Sequence, residues 1–180
     1  RPLHDDNKQI HWMDDTANDI GFQALIDLGL SFDALVQDFN ELPCIISVAE
    51  RFPKLSIILN HLGKPDIANN IFASWAADID RLAKHPNVVC KFSGILNQAK
   101  AGWTLKGLRP YADHVLRCFG AERLMWGSDW PPARLTAEYN VGWEVAHELL
   151  AHLPAADQEM IFGGNATRIY RLHAGPSVPK

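Results

Sequence analysis

The sequence has 180 residues and a mass of 20.1 kDa, enough for one domain or most of one. Hydrophobic residues make up 47% and charged residues 21%, a balance that excludes a disordered or fibrous chain. The net charge is −4 and no segment is strongly basic, which argues against nucleic acid as a partner.

Apolar periodicity and turn residues predict alternating helices and strands along the chain. The predicted helices are 19–28, 42–52, 69–84, 110–119, 141–152, 154–162 and 166–172. The predicted strands are 30–36, 55–59, 87–92 and 123–126. Gly29 is placed to end the first helix, and Asn40 is the expected N-cap of the second. The continuous apolar run over 55–59 is typical of a parallel strand covered on both faces.

Strands that alternate with helices predict an α/β fold with a parallel sheet in a single domain, 1–180. Two architectures fit this pattern, an open doubly wound sheet and a piece of a (β/α)8 barrel. No GxGxxG or GxxxxGK[ST] motif follows a strand. The usual nucleotide-binding forms of the open sheet are therefore excluded.

Cysteine usage and hydropathy predict where the protein works. Cys44, Cys90 and Cys118 are too widely spaced for a CxxC redox motif or a zinc knuckle, so we expect a reduced, cytoplasmic compartment. No apolar stretch approaches the ~20 residues of a membrane span, and the first residues carry no secretory signal. We therefore expect no membrane association.

Polar residues follow each predicted strand, where the loops of parallel α/β folds carry catalytic groups. His61 and Asp129 follow two different strands. A carboxylate beside an imidazole can take a proton from water, pass one to a leaving alkoxide, or bind a divalent metal, which predicts hydrolysis. Taken singly, His61 has a structural alternative as a hydrogen-bonded residue, and Asp129 as turn chemistry.

Three further side chains are candidates for substrate binding at the same end. Lys64 and Lys91 could hold a substrate carboxylate or polarise a carbonyl oxygen, although a solvated lysine is the ordinary alternative. Trp130 could stack on a sugar ring or fill the top of a barrel.

Four segments together resemble the amidohydrolase-related family of TIM-barrel hydrolases. They are 51–65 (RFPKLSIILNHLGKP), 91–94 (KFSG), 119–131 (FGAERLMWGSDWP) and 163–172 (GGNATRIYRL). The family includes sugar-acid lactonases and 2-pyrone-4,6-dicarboxylate lactonase. The resemblance runs through nearly the whole chain, and the HLGKP and GSDWP motifs are specific in combination.

This resemblance implies roles for individual residues. Asp129 matches the barrel aspartate that activates the hydrolytic water, and His61 matches a histidine near the substrate carbonyl or a metal. Lys64 matches a basic position that contacts substrate. Arg1, followed by PLH, resembles the end of a GxR strand whose arginine binds a substrate carboxylate.

The sequence also departs from the family. The HxH pair of the first family strand is absent from the 180 residues, which begin at Arg1 rather than Met. A (β/α)8 barrel typically needs about 250 residues. We therefore expect a partial barrel that lacks its N-terminal strands, roughly a third or more of the domain. Its exposed strand edges and inner face favour a homo-oligomer.

These observations lead to one function and two alternatives. The first is hydrolysis of a sugar-acid lactone with water activated by Asp129 and assisted by His61. The alternatives are a dicarboxylate lactonase or related decarboxylase, and a truncated, non-catalytic binding domain. As metal ligands, His61 and Asp129 supply two positions, whereas catalytic zinc usually has three protein ligands. We therefore expect this chain by itself to bind zinc weakly or not at all.

Overall fold

The computed structural model describes residues 12–172. Its strands are Ser31–Ala34 (β1), Ser56–Leu59 (β2), Val88–Phe92 (β3) and Leu124–Trp126 (β4). Its helices are Asp19–Asp27 (α1), Leu42–Arg51 (α2), Ala73–Leu82 (α3), Ile95–Ala99 (α4), Leu105–Phe119 (α5), Tyr139–Leu150 (α6), Ala155–Glu159 (α7) and Asn165–Ile169 (α8). None of the helices in this range is long and apolar enough to span a bilayer.

The four strands form one parallel sheet in the order β1-β2-β3-β4. Phe32 pairs with Ile57, and Ile57 pairs in turn with Val88. Sequential order without a reversal is the order of strands in a (β/α)8 barrel, whereas a doubly wound sheet reverses at a switch point. The order therefore favours the barrel over the open sheet.

The main core lies between the sheet and its helices. Alternate strand residues such as Ile57, Leu59 and Cys90 face this layer and are fully buried. They pack against the apolar sides of α2, α3 and α5, which include Ile45, Trp75 and others in one continuous cluster. Burial of this face is the main source of stability, because apolar burial contributes about 25 cal/mol per Å².

The opposite face of the sheet carries the second, smaller apolar cluster. Ile58, Val89 and Met125 are buried there beneath the segment that contains α8 and Tyr170. The Asn165 side chain anchors this segment by donating from Nδ2 to the Leu124 carbonyl at 2.6 Å. In a complete barrel this face is the interior, so the C-terminal segment covers part of the barrel lining.

Polar groups on the inner face also hold the C-terminal segment. The Tyr170 hydroxyl donates to Asp33 Oδ1 at 2.9 Å, and Lys91 Nζ lies 2.5 Å from the same oxygen. Arg168 donates to the Glu122 carbonyl, which precedes β4 in the chain. The segment therefore closes the end of the sheet at which the strands begin.

Burial of Tyr170 makes stability depend on alkaline pH. Burial, and then the hydrogen bond to Asp33, raise the pKa of Tyr170. Above about pH 10 the unfolded chain loses this proton and the folded chain keeps it, so the free energy of unfolding falls as pH rises. We expect Tyr170→Phe to show a shallower alkaline decline in urea unfolding. Tyr139→Phe, at a half-exposed position, is the control; equal declines in both variants would contradict the assignment.

Several predicted boundaries were wrong for local reasons. Asn40 is not the N-cap: Asp38 Oδ1 accepts from the Asn40 amide at 2.8 Å and begins a short 3-10 turn that precedes α2. The helix predicted to begin at Pro110 begins at Leu105, because the Thr104 hydroxyl accepts from the Gly107 amide.

The other differences concern short elements. The helix predicted over 69–84 begins at Ala73, after a 3-10 turn that ends in left-handed Asn70. Helix α4 was not predicted. A π-helical turn, Met160–Gly164, joins α7 to α8 where two separate helices were expected.

Candidate active site

His61 lies in an unusual turn directly after β2. Four consecutive residues have left-handed backbone, with φ of 53° at His61, 54° at Leu62, 68° at Gly63 and 50° at Lys64. A left-handed conformation costs roughly 1–2 kcal/mol for each residue other than glycine. Such strain persists only where surrounding contacts fix it, and it concentrates at functional sites.

Contacts from the helical layer hold this turn. The Trp75 indole donates from Nε1 to the Leu62 carbonyl at 2.8 Å, and both Trp75 and Leu62 are fully buried. A Cβ on Gly63 would lie 2.7 Å from Leu42 Cδ2, so the turn packs directly on α2. The position of His61 is therefore set by the core beneath it.

We expect Trp75→Phe to lower the free energy of unfolding by about 1–3 kcal/mol, since it leaves the buried Leu62 carbonyl without its donor. Urea unfolding of the protein measures this loss. The matched control is Trp143→Phe, because Trp143 is partly exposed on α6. Equal stability of the Trp75→Phe variant and the wild type would show that the indole donor does not hold the turn.

The turn places His61 beside Asp129, which follows β4. His61 Nε2 lies 3.4 Å from Asp129 Oδ1, and the side chains are only 12% and 13% exposed. His61 Nδ1 lies 2.8 Å from Ser93 Oγ, and Asn97 donates from Nδ2 to Asp129 Oδ2 at 3.0 Å. Each member of the pair is therefore oriented by a polar neighbour from the segment that follows β3.

A pocket opens beside Asp129, between the end of β4, α4 and α6. Ser93, Asn97 and Ser128 supply polar lining, while Trp126 and Ala146 supply apolar lining. Its walls therefore place hydrogen-bonding groups next to an apolar surface.

The structure separates the other predicted site residues. Lys91 points to the inner face, where its ammonium pairs with Asp33 and lies 5.3 Å from the Tyr170 ring centroid. Lys64 closes the same left-handed turn as His61. Trp130 is 61% exposed beside the loop of Asp129, so it does not fill a barrel top within residues 12–172. Arg1 lies outside the described residues.

The sequence analysis did not identify three residues that contact the predicted site residues: Asn97, Ser93 and Asp33. Asn97 lies on α4, which was not predicted, so its contact with Asp129 had no visible signal. Ser93 was visible as a strand-end residue, but no pattern indicated that it contacts His61. Asp33 carried a signal, because it is a charge in the middle of an apolar strand.

His61 and Asp129 fit two neighbouring ligand positions of one metal ion. With metal–ligand bonds of about 2.0–2.1 Å, two tetrahedral ligand atoms lie about 3.3–3.4 Å apart, close to the 3.4 Å between Nε2 and Oδ1. Within residues 12–172, no third His, Cys, Asp or Glu completes a cluster with them. Among the described residues, the pair could therefore supply two ligands of a metal ion and no more.

Comparison with known sequences decides the family. The amidohydrolase family profile matches residues 3–172. The chain belongs to the amidohydrolase family. An L-fucono-1,5-lactonase from Burkholderia ambifaria is 36% identical over 176 residues, which are 96% of this chain and 60% of that protein. The amidohydrolase chain thus spans less than two thirds of the length of this relative.

Solved structures agree with this assignment. An amidohydrolase from Burkholderia multivorans with bound zinc superposes with a TM-score of 0.89 and 31% identity, over 96% of this chain and 63% of that one. A putative 2-pyrone-4,6-dicarboxylic acid hydrolase from Pseudomonas putida shares the fold, with a TM-score of 0.70 and 21% identity over 83% and 55% of the two chains. The predicted partial TIM barrel and family resemblance are confirmed.

Proposed function

We propose that the whole protein opens a sugar-acid lactone by hydrolysis. The observation that carries this proposal is the His61–Asp129 pair, which lies at the carboxyl end of the sheet and is oriented by Ser93 and Asn97. The likeness to an L-fucono-1,5-lactonase supports the substrate class.

In the proposed reaction, the Asp129 carboxylate takes a proton from water as the water oxygen attacks the lactone carbonyl. His61, held by Ser93 at Nδ1, faces the same space through Nε2 and stabilises the oxyanion as a hydrogen-bond donor. When the ring C–O bond breaks, the leaving alkoxide receives the proton held by Asp129. The product is the open hydroxy acid.

A divalent cation would be held by His61 and Asp129 together with ligands from outside residues 12–172. When bound, such an ion lowers the pKa of its water and polarises a carbonyl oxygen. The zinc in the Burkholderia multivorans relative supports testing this cation first. At this pair, residues 1–180 alone are expected to hold zinc weakly or not at all.

The candidates for substrate binding are the residues that lie near His61 and Asp129. Lys64, in the His61 turn, and exposed Trp130, beside Asp129, remain our candidates for binding the sugar-acid portion. Lys91 is a weaker candidate, since its ammonium is paired with Asp33. Cys44, Cys90 and Cys118 form no disulfide with one another, which supports the proposed reducing, cytoplasmic location.

The test is hydrolysis of a panel of aldonolactones and 2-pyrone-4,6-dicarboxylate, followed with a pH indicator. Both the 180-residue chain and the complete gene product that contains it are assayed. We expect aldonolactone hydrolysis by the complete protein. Hydrolysis of the pyrone alone would replace the substrate class, and a lack of any turnover would favour the binding-domain alternative.

A further inference from the structure

A second cluster of metal-ligating side chains lies in the helical layer. His114 and Cys118 are four residues apart on α5, so they share one face of the helix, and Asp80 faces them from α3. Asp80 Oδ1 lies 3.4 Å from His114 Nε2 and 3.0 Å from Cys118 Sγ. The third side of this triangle, from Sγ to Nε2, is 3.5 Å.

Two of these distances match one face of a tetrahedral zinc site, and the third, the 3.0 Å hydrogen bond from Cys118 Sγ to Asp80 Oδ1, lengthens when the thiol proton is lost to the metal. With bonds of about 2.0–2.1 Å to nitrogen or oxygen and about 2.3 Å to sulfur, neighbouring ligand atoms lie about 3.3–3.6 Å apart. A carboxylate, a thiolate and a neutral imidazole also balance the charge of a divalent ion. Asp80 is 57% exposed, which leaves solvent access for a fourth ligand.

The cluster lies at the opposite end of the sheet from His61 and Asp129. Asp80 and Cys118 are near the C-terminal ends of their helices, which run back toward the beginnings of the strands. Arg123 lies just before β4 and donates to the carbonyls of Cys118 and Ala83. These contacts place the C-terminal ends of α3 and α5 beside the beginning of β4. This end of a βα barrel serves stability, whereas catalysis occurs at the other end.

We propose that Asp80, His114 and Cys118 bind one zinc ion that joins α3 to α5, with water as the fourth ligand. Binding releases the Cys118 proton, which the thiol now donates to Asp80. It also moves the imidazole proton of His114 from Nε2 to Nδ1.

The transfer of the imidazole proton changes the contacts of His114 with the Ala76 carbonyl and with Arg117. Nε2 now lies 3.1 Å from the Ala76 carbonyl, and Nδ1 lies 2.6 Å from Arg117 Nη2. Arg117 is exposed, so its guanidinium can turn into solvent when Nδ1 carries the proton. Burial, with the hydrogen bond and charge of Asp80, raises the pKa of the Cys118 thiol to about 12. A cation at the cluster favours the thiolate instead, so zinc uptake releases a proton.

Cobalt substitution tests the proposal, because a thiolate ligand gives Co²⁺ a near-ultraviolet charge-transfer band that oxygen and nitrogen ligands do not. The metal-free complete protein is titrated with Co²⁺, and Zn²⁺ is then added in competition. We expect the band to appear, to be displaced by zinc, and to be lost in Cys118→Ser. Asp80→Asn, at an exposed position, should weaken cobalt binding by about tenfold or more.

One variant at another thiol and one at the active site distinguish cobalt bound at this cluster from cobalt bound elsewhere in the protein. The band should persist in Cys90→Ala and in Asp129→Asn, and zinc should raise Tm by a smaller amount in Cys118→Ser than in the wild type. Far-ultraviolet circular dichroism verifies that each variant is folded. Absence of the band in the wild type at excess cobalt, or its survival in folded Cys118→Ser, overturns the proposal.

Discussion

Replacement of Asp129 by Asn is expected to lower kcat for lactone hydrolysis by roughly 10²–10⁴-fold, the range that general bases contribute. The amide preserves the shape of the side chain but cannot accept the proton of the attacking water. Because Asp129 and His61 lie 3.4 Å apart, the change acts at the centre of the proposed reaction. The measurement is steady-state hydrolysis of an aldonolactone by the complete protein.

The control for this variant is Asp113→Asn, since Asp113 is exposed on α5. It makes the same chemical change away from the pair and should leave kcat unaltered. Thermal unfolding of both variants reports whether the fold is intact. Wild-type turnover by folded Asp129→Asn would remove this carboxylate from the mechanism.

Replacement of Gly94 by Ala is expected to lower kcat, by up to the roughly 100-fold that a displacement of about 1 Å can cost, because it displaces His61. Gly94 has φ of +66°, and a Cβ there would lie 3.0 Å from His61 Nδ1 and 3.1 Å from its Cβ and Cγ. The imidazole is confined on its other sides by Ser93 and Asp129. It can therefore accommodate the methyl group only by shifting a few tenths of an ångström toward or away from these partners.

Gly120→Ala provides a control for the strain of an alanine at positive φ. Gly120 also has φ of +66°, but its ψ is 168° where that of Gly94 is 6°, and a Cβ there meets nothing within 4 Å. Both variants should lose stability, Gly120→Ala the more because its backbone conformation suits glycine almost exclusively, and only Gly94→Ala should lose turnover. Equal kcat values in the two variants would show that contact with Gly94 does not position His61.

The sequence was sufficient to predict the βα alternation because the strands are short apolar runs bounded by prolines, glycines and polar residues. The strand ends then followed from the same pattern, which is why His61 and Asp129 could be paired before any geometry was known. Their actual contact adds the 3.4 Å separation and the orienting residues Ser93 and Asn97.

What sequence could not provide depends on contacts between distant segments. The left-handed backbone from His61 to Lys64 is imposed by packing on Trp75 and Leu42, and no local propensity favours it in three residues other than glycine. Lys91 looked available for substrate because its partner Asp33 lies 58 residues earlier. The Asp80 cluster likewise requires the packing of α3 on α5.

The contact between Tyr170 and Asp33 bears on the order in which the protein is made and folded. It joins residues 137 positions apart, and Arg171 reaches the Gly29 carbonyl across 142 positions. The helical side of the sheet forms largely from neighbouring segments, so it can assemble as the chain emerges from the ribosome. The inner side of β1 must wait for almost the last described residues. During synthesis, this surface is therefore open to chaperones and to mispairing for longer than the rest of the sheet.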